Sequence, residues 1–263
     1  MARLYPLFSG SKGNSYYIGS GNSGVLVDIG MNAKQTEIAL NNNDIDINTI
    51  KAIFITHEHT DHIAGLKVFA NRYGIDVYGS NGTINALIQK GMITSKFKTH
   101  TLDYNGVSVC DMFIKPFTTS HDCAESTGFV VTTQDDKTCG FLTDTGVITF
   151  EAKRSILSCD TVVIESNHDV NMLLNGVYPY TLKKRILSDK GHLSNEDCAN
   201  FLPELIESGT KRLVLAHLSQ ENNMEELAYL SAVTALKEQN MIIDEDYKLI
   251  VAKTVSSGEV FIY

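Results

Sequence analysis

The chain has 263 residues, of which 43% are hydrophobic and 20% are charged, and its formal net charge is −9. This size and apolar content suffice for a substantial core, and we predict a single domain over residues 1–263. No stretch approaches the roughly 18–20 continuous apolar residues of a transmembrane helix, and the acidic balance argues against a broad basic face for nucleic acid.

The apolar patterns predict strands and helices that alternate along the chain. In the first half, strands are expected at 3–8, 15–19, 24–28, 51–56, 76–79, 106–109 and 112–117, and helices at 33–42, 62–73 and 82–91. In the second half, strands are expected at 127–133, 138–143, 161–165, 212–216, 247–252 and 259–262, and helices at 149–157, 180–189, 195–208 and 222–239. Closely spaced early strands suggest antiparallel hairpins, and later strands separated by helices suggest parallel crossovers, so we expect mixed sheets covered by helices.

Two boundaries near the end of the chain have specific signals. Ser194 with Asp197 predicts a capped start for the helix at 195. Gly191 is expected just past the C-terminus of the preceding helix.

The cysteines and the N-terminus indicate a reduced, cytoplasmic chain. Five cysteines lie at positions 110, 123, 139, 159 and 198, an odd number without a CxxC pair, and each is expected to be a small buried residue. The first 15 residues, MARLYPLFSGSKGNS, contain no apolar segment typical of a secretion signal. The sequence predicts no particular oligomeric state.

The most informative segment is HEHTDH at residues 57–62, which directly follows an apolar run. Imidazole nitrogen and carboxylate oxygen are ligands for zinc, manganese and iron. His57 and His59 alternate, so both can face one ion from an extended stretch. Asp61 and His62 are adjacent at the junction of a loop and a helix, so they can face a second ion, about 3.5–4 Å from the first.

Two ions need more ligands than this segment offers. Three further candidates each follow a predicted strand: His121, Asp144 and His217. A lone histidine at a strand end is more often a hydrogen-bonded structural residue. Their order along the chain after the first motif favours ligands.

The whole pattern resembles the metallo-β-lactamase superfamily of binuclear metallohydrolases, from about residue 3 to residue 262. Asp28 matches the family's first acidic position, and residues 57–62 match its H-x-H-x-D-H motif. The resemblance implies a four-layer αββα sandwich of two mixed β-sheets with the metal site along one sheet edge. It assigns one ion to His57, His59 and His121, the other to Asp61, His62 and His217, a bridging position to Asp144, and the orientation of a ligand histidine to Asp28.

Secondary motifs resemble the WalJ/YycJ/VicX subgroup of this superfamily. They are SGSKGNS at 9–15, ESNHD at 165–169, GHLSN at 191–195 and HLSQENN at 217–223. The subgroup is associated with bacterial two-component regulatory operons and with 5′-to-3′ exonuclease activity on DNA. The resemblance implies a phosphodiesterase with two divalent ions (Mn²⁺, Zn²⁺ or Fe²⁺) that takes DNA as substrate and uses a metal-bridging hydroxide.

Several residues are candidates for handling the substrate. Asp61 can ligate a metal and also accept a hydrogen bond from the hydroxide. His168 and His192 could protonate the leaving group or contact its phosphate. Ser11 and Asn14 lie in a glycine-rich loop whose backbone amides could approach an anion, although a plain turn fits that composition equally.

Two other functions stay open. The net charge favours a small-molecule hydrolase that cleaves a thioester, lactone or cyclic phosphodiester, and a third possibility is a non-catalytic accessory protein of a two-component regulatory system. Two other groups within the superfamily are disfavoured. Flavo-diiron proteins carry glutamate at the position of His59, which argues against a redox di-iron site. The β-CASP nucleases carry a long extra domain between the fourth and fifth ligand positions, and the 72 residues between Asp144 and His217 are too few for it.

Overall fold

The computed structural model describes residues 2–256, 258, 261 and 262. The strands are β1 (Arg3–Phe8), β2 (Ser15–Ser20), β3 (Ser23–Val27), β4 (Ile50–Phe54), β5 (Asp76–Gly79), β6 (Thr99–Thr101), β7 (Val107–Val109), β8 (Met112–Thr118), β9 (Thr127–Thr132), β10 (Thr138–Leu142), β11 (Thr161–Glu165), β12 (Arg212–Ala216), β13 (Lys248–Val251) and β14 (Phe261–Ile262). The helices are α1 (Ala33–Asn42), α2 (Thr60–Ile63), α3 (Leu66–Tyr73), α4 (Asn81–Gln89), α5 (Phe150–Ile156), α6 (Val170–Asn175), α7 (Tyr180–Ile186), α8 (Asn195–Glu207) and α9 (Glu225–Glu238).

The strands form two seven-stranded sheets, ordered β14-β1-β2-β3-β4-β5-β6 and β13-β12-β11-β10-β9-β8-β7. Each sheet has an antiparallel half and a parallel half. The pairs from β14 to β3 and from β7 to β10 are antiparallel. The pairs from β3 to β6 and from β10 to β13 are parallel. Parallel pairing therefore begins earlier in the chain than expected, at β3 and β4, where α1 supplies the crossover.

The two sheets pack face to face. Their buried inner faces share one apolar cluster, in which Tyr16 contacts Phe141 with ring centroids 5.7 Å apart and Phe54 contacts Phe129 at 5.8 Å. A second cluster joins the first sheet to α1, α3 and α4, and a third joins the second sheet to α5, α8 and α9. These four layers confirm the predicted αββα sandwich of mixed sheets.

The turns that follow three central strands have unusual backbone conformations. Asp28, Asp144 and His217 come directly after or close after β3, β10 and β12, and their φ angles are 60°, 55° and 57°. Residues with side chains seldom adopt this left-handed region, and such strain is concentrated at functional sites. All three turns lie at the carboxyl ends of the strands, along one edge of the sandwich.

One predicted helix and one predicted cap differ in the structure. The helix expected over 62–73 is two helices, because the chain breaks at Gly65, where a Cβ would lie 2.2 Å from the Met31 carbonyl oxygen. Gly191 does not cap α7, which ends at Ile186. A Cβ on Gly191 would lie 2.1 Å from the Ile186 carbonyl oxygen, so close backbone packing explains this glycine.

Other differences are smaller. The short elements β6 and α6 were not predicted, Cys110 is exposed rather than buried, and the remaining free cysteines are buried or half-buried. Of the strand predicted at 259–262, residues 259 and 260 lie outside the described residues, and β14 pairs with β1. Within the described parts of the chain, no helix combines the length and apolar character that crossing a membrane requires.

Candidate metal centre

The connection from β4 to α2 carries two histidines that meet a third from the other sheet. His57 is fully buried, and its ring centroid lies 4.5 Å from that of His59 and 5.0 Å from that of His121. His121 Nε2 lies 3.3 Å from His59 Nδ1, while Nδ1 of His121 donates to the Gly191 carbonyl at 3.0 Å. Donor atoms of the three rings lie within 4.8 Å of one another, a spacing that could hold one cation.

A second group forms around the first turn of α2. Oδ2 of Asp61 lies 3.4 Å from Nε2 of His62 and 3.5 Å from Nε2 of His217. The two rings are buried, whereas the Asp61 carboxylate is 25% exposed. These three side chains also have donor atoms within 4.8 Å of one another.

Asp144 lies between the two groups. Its Oδ2 is 3.3 Å from His62 Nε2, and its Oδ1 is 3.4 Å from His217 Nδ1 and 3.8 Å from His121 Nε2. The carboxylate thus contacts a ring from each group, and the left-handed turn after β10 points it there. The geometry matches the position that a bridging ligand would need.

Asp28 fixes the orientation of His62. One carboxylate oxygen accepts hydrogen bonds from His62 Nδ1 at 2.7 Å and Thr56 Oγ1 at 2.8 Å, and the other accepts the Thr56 amide at 2.8 Å. Because Nδ1 carries the donated proton, Nε2 of His62 faces the cluster with its lone pair. A carboxylate behind a histidine ligand is a common way to set its tautomer.

Glu165, for which the sequence predicts no role, also belongs to the cluster. Its Oε1 accepts from Nδ1 of His192 at 2.8 Å and from Nδ1 of His217 at 2.7 Å. Its Oε2 accepts the amides of Thr145 at 2.8 Å and Leu193 at 3.2 Å. The sequence feature that could have indicated Glu165 is its place at the end of an apolar, fully buried strand, since a carboxylate is seldom buried without partners.

The carboxylates and imidazole rings of the cluster shift one another's pKa values. Burial would raise the pKa of Glu165, but the adjacent His192 and His217 rings more than offset it and lower that pKa well below its usual range. Burial would likewise lower the pKa of His217, but Asp144, Asp61 and Glu165 raise it to about 10. His217 therefore tends to hold a proton on both ring nitrogens, and a cation that binds its Nε2 must displace one of them.

The unpaired atoms of the cluster fit a cation. His57 Nε2, His217 Nε2 and Asp144 Oδ2 are buried and have no hydrogen-bond partner among the described residues. Each buried polar atom without a partner lowers the free energy of unfolding by about 1–3 kcal/mol, and a bound divalent ion would offset this loss. Imidazole nitrogens with carboxylate oxygens are a suitable ligand set for Zn²⁺, Mn²⁺ or Fe²⁺.

Comparison with known proteins identifies the family. Residues 9–217 match the model of the metallo-beta-lactamase superfamily. The chain belongs to the metallo-β-lactamase superfamily. The superfamily uses divalent metals, and four groups of His, Asp and Glu side chains in this member could hold one.

Two similar proteins indicate the subgroup of the superfamily to which the chain belongs. The chain is 39% identical over 246 residues to exodeoxyribonuclease YycJ of Bacillus anthracis, with 92% of each chain covered. It is 38% identical over 247 residues to exodeoxyribonuclease WalJ of Streptococcus pneumoniae, with 92% of this chain and 91% of the relative covered. This similarity places the chain in the WalJ/YycJ subgroup, as its secondary motifs predicted.

A solved structure supports the fold. The metallo-beta-lactamase fold protein YhfI from Bacillus subtilis superposes with a TM-score of 0.72 and 17% identity, covering 99% of this chain and 98% of that chain. At this low identity the likeness concerns the superfamily fold alone. It agrees with the four layers described above.

A cavity of about 230 Å³ opens onto the cluster. Of the residues predicted to handle substrate, Ser11, Asp61 and His192 line it. Its opposite wall comes from the region of α7 and is formed by Tyr178, Leu182, Arg185 and Ile186. The site therefore has a metal-binding floor and a wall with one guanidinium group.

Asn14 and His168 do not line this cavity. Asn14 is buried, exchanges hydrogen bonds with the Gly10 backbone at 2.9 and 3.1 Å, and contacts Asp61 Oδ2 at 3.4 Å. It holds the loop against the cluster, and its contact with substrate stays a prediction. His168 is also buried, and burial lowers its pKa to about 4. Both ring nitrogens lack a hydrogen-bond partner among the described residues, and the expected roles in proton donation and phosphate contact stay predictions.

Proposed function

We propose that this protein is a metal-dependent 5′-to-3′ DNA exonuclease that acts in the cytoplasm. The observation that carries the proposal is the 39% identity to exodeoxyribonuclease YycJ over 92% of both chains. Convergence of all seven predicted ligands in one cluster supports it independently, because an accessory protein without activity would have no need of a complete site.

Two divalent ions, Mn²⁺, Zn²⁺ or Fe²⁺, are proposed to occupy the cluster. His57, His59 and His121 would hold one, Asp61, His62 and His217 the other, and Asp144 would contact both. When bound, the ions supply Lewis-acid catalysis, lowering the pKa of water and neutralising charge on the phosphoryl oxygens.

The protein's own residues complete the chemistry. Asp61 is partly exposed to the cavity, where its carboxylate can accept a hydrogen bond and orient an attacking water. His192 lines the same cavity and donates Nδ1–H to Glu165, so its Nε2 is the atom that can pass a proton to the leaving oxygen. Arg185 lies in the opposite wall, where its Nε and Nη2 donate to the Asp122 carboxylate. Its remaining N–H groups could contact a phosphate.

End-labelled duplex DNA tests this proposal. With Mn²⁺, the wild-type protein should release the label of 5′-labelled DNA early and that of 3′-labelled DNA late. Asp61→Ala should be inactive, because it removes a ligand and the water-orienting carboxylate. Glu238→Ala, which removes an exposed carboxylate at the far end of α9, should match wild type. Equal activity, or equal inactivity, of wild type and Asp61→Ala would refute the proposal.

A small-molecule hydrolase is the second candidate, and the net charge of −9 favours it. Salt separates the two. Binding through phosphate contacts weakens steeply with ionic strength, whereas hydrolysis of a neutral lactone or thioester should respond little. Turnover of such an ester by wild-type protein that leaves DNA intact at every salt concentration would favour this candidate.

A further inference from the structure

The chain between β11 and α8 carries an unusual surface, which we call the α6–α7 segment (residues 170–188). It exposes several large apolar side chains to solvent: Leu174 at 52%, Val177 at 89%, Tyr180 at 79% and Leu187 at 44%. Scattered apolar residues on a surface need no explanation, but a cluster of them marks an interaction site.

The charge of this segment opposes that of the whole protein. Residues 170–188 contain three basic residues and no acidic residue, in a chain of net charge −9. Lys183 is committed to the fold, since its ammonium group donates to the Leu174 and Gly176 carbonyls at 2.8 and 2.7 Å. Lys184 is exposed and has no side-chain partner in the part of the chain that the structure describes. It is therefore available to an anion.

The helix α7 separates two cavities. Leu182, Arg185 and Ile186 face the active-site cavity, with Tyr178 just before the helix. The other face lines a second, largely apolar cavity of about 560 Å³ together with Leu174: this wall comprises Tyr180, Lys183, Lys184, Leu187 and Ser188. Tyr178 and Tyr180 flank Pro179, so one ring borders each cavity.

We propose that the α6–α7 segment binds the single-stranded nucleotides adjacent to the scissile phosphodiester, with Tyr180 stacking on a base and Lys184 contacting a backbone phosphate. This inference rests on the proposed nuclease function. Strands without fixed sequence are bound by aromatic platforms beside cationic groups, and this segment offers both next to the active-site cavity. A positive charge on an acidic protein matches a polyanion rather than an apolar protein partner.

Binding of a fluorescein-labelled single-stranded phosphorothioate oligonucleotide, whose backbone resists cleavage, tests the inference when it is followed by anisotropy with the Mn²⁺-loaded protein. Tyr180→Ala should weaken binding about tenfold, within the range expected for loss of one stacked base. Tyr180→Phe should bind like wild type, because the ring is retained. Lys184→Ala should weaken binding and reduce the slope of log K against log salt by about 0.7.

Two control variants remove similar groups elsewhere. Tyr104→Ala removes an exposed ring between β6 and β7, and Lys237→Ala removes an exposed ammonium group at the end of α9, so both should bind like wild type. Thermal unfolding of every variant establishes that it is folded. If Tyr180→Ala and Lys184→Ala bind like wild type while wild-type protein degrades DNA, the inference is wrong and the nuclease function stands. If wild type neither binds nor degrades DNA, both fail.

Discussion

Glu165 and His217 are joined by a hydrogen bond of 2.7 Å between Oε1 and Nδ1. It commits Nδ1 of His217 as a donor and leaves Nε2 directed at Asp61, 3.5 Å away. The same oxygen accepts from His192 at 2.8 Å. One buried carboxylate therefore sets the tautomer of a proposed ligand and of the proposed proton donor, which couples metal binding to proton transfer.

Replacing Glu165 should impair both functions. In Glu165→Gln, one side-chain oxygen must serve two imidazole donors, and the new amide protons face the backbone amides of Thr145 and Leu193. Loss of a group that orients a ligand typically costs about 10- to 100-fold in metal affinity or activity. Titration of the apoprotein with Mn²⁺ and the rate of DNA degradation check the expectation. Affinity and rate equal to those of Glu238→Gln would contradict it.

Residue spacing predicted the part of the cluster at residues 57–62, and the family resemblance supplied the assignment of His121, Asp144, His217 and Asp28. The motif at residues 57–62 indicates chemistry directly, because three histidines and an aspartate in one short segment have few other uses. Glu165 differs, since a single glutamate ending an apolar strand becomes informative only when two rings from distant parts of the chain are seen to share it. Asn14 and His168 show another limit: motif membership does not reveal whether a side chain lines the cavity, and neither of these does.

Some helix and strand boundaries also depend on contacts between distant parts of the chain. The apolar pattern continued through Gly65, so one helix was predicted over 62–73. At the break the Gly65 amide donates to the Ile29 carbonyl at 3.0 Å instead of to the preceding helical turn, a contact that no local pattern encodes. Similarly, β6 is three residues long and polar, and its strand conformation comes from pairing with β5. Tertiary context decided both cases.

Gly30 should be essential for the placement of Asp61. A Cβ at Gly30 would lie 1.7 Å from the Asp61 carbonyl oxygen and 2.4 Å from the Asn14 nitrogen, and neither backbone atom can move alone. Gly30→Ala should lower the free energy of unfolding by about 1–3 kcal/mol and displace Asp61. Denaturant unfolding and Mn²⁺ titration measure the two effects. Gly79→Ala, whose Cβ would meet its nearest atom at 3.3 Å, is the control and should change both less. Equal results for the two variants would show that the loop accommodates the methyl group.

Stability should depend on pH through Asp160. Burial would raise its pKa, but hydrogen bonds from Lys137 and Thr138 more than offset this and lower it. A carboxyl group with a lowered folded-state pKa stabilises the fold above its unfolded pKa of about 3.9, and the stabilisation is lost as pH falls through the folded value. Asp160→Asn should therefore melt below wild type near neutral pH, and the difference should shrink on acidification below about pH 4. A melting difference that is constant from neutral to acidic pH would contradict this account.

Removal of divalent ions should destabilise the protein as well as inactivate it. A ligand that binds only the folded state stabilises it by about 2.7 kcal/mol at a concentration 100 times its Kd. Chelation also leaves the buried Nε2 atoms of His57 and His217 without a partner. Calorimetry should show a lower melting temperature in EDTA and recovery when Mn²⁺ or Zn²⁺ is restored. His57→Ala supplies the matched control, since a protein lacking this ligand should lose much of the EDTA-dependent shift. If EDTA leaves the melting temperature of wild type unchanged while DNA degradation continues, the cluster holds no exchangeable cation, and the catalytic role assigned to its histidines would have to be abandoned.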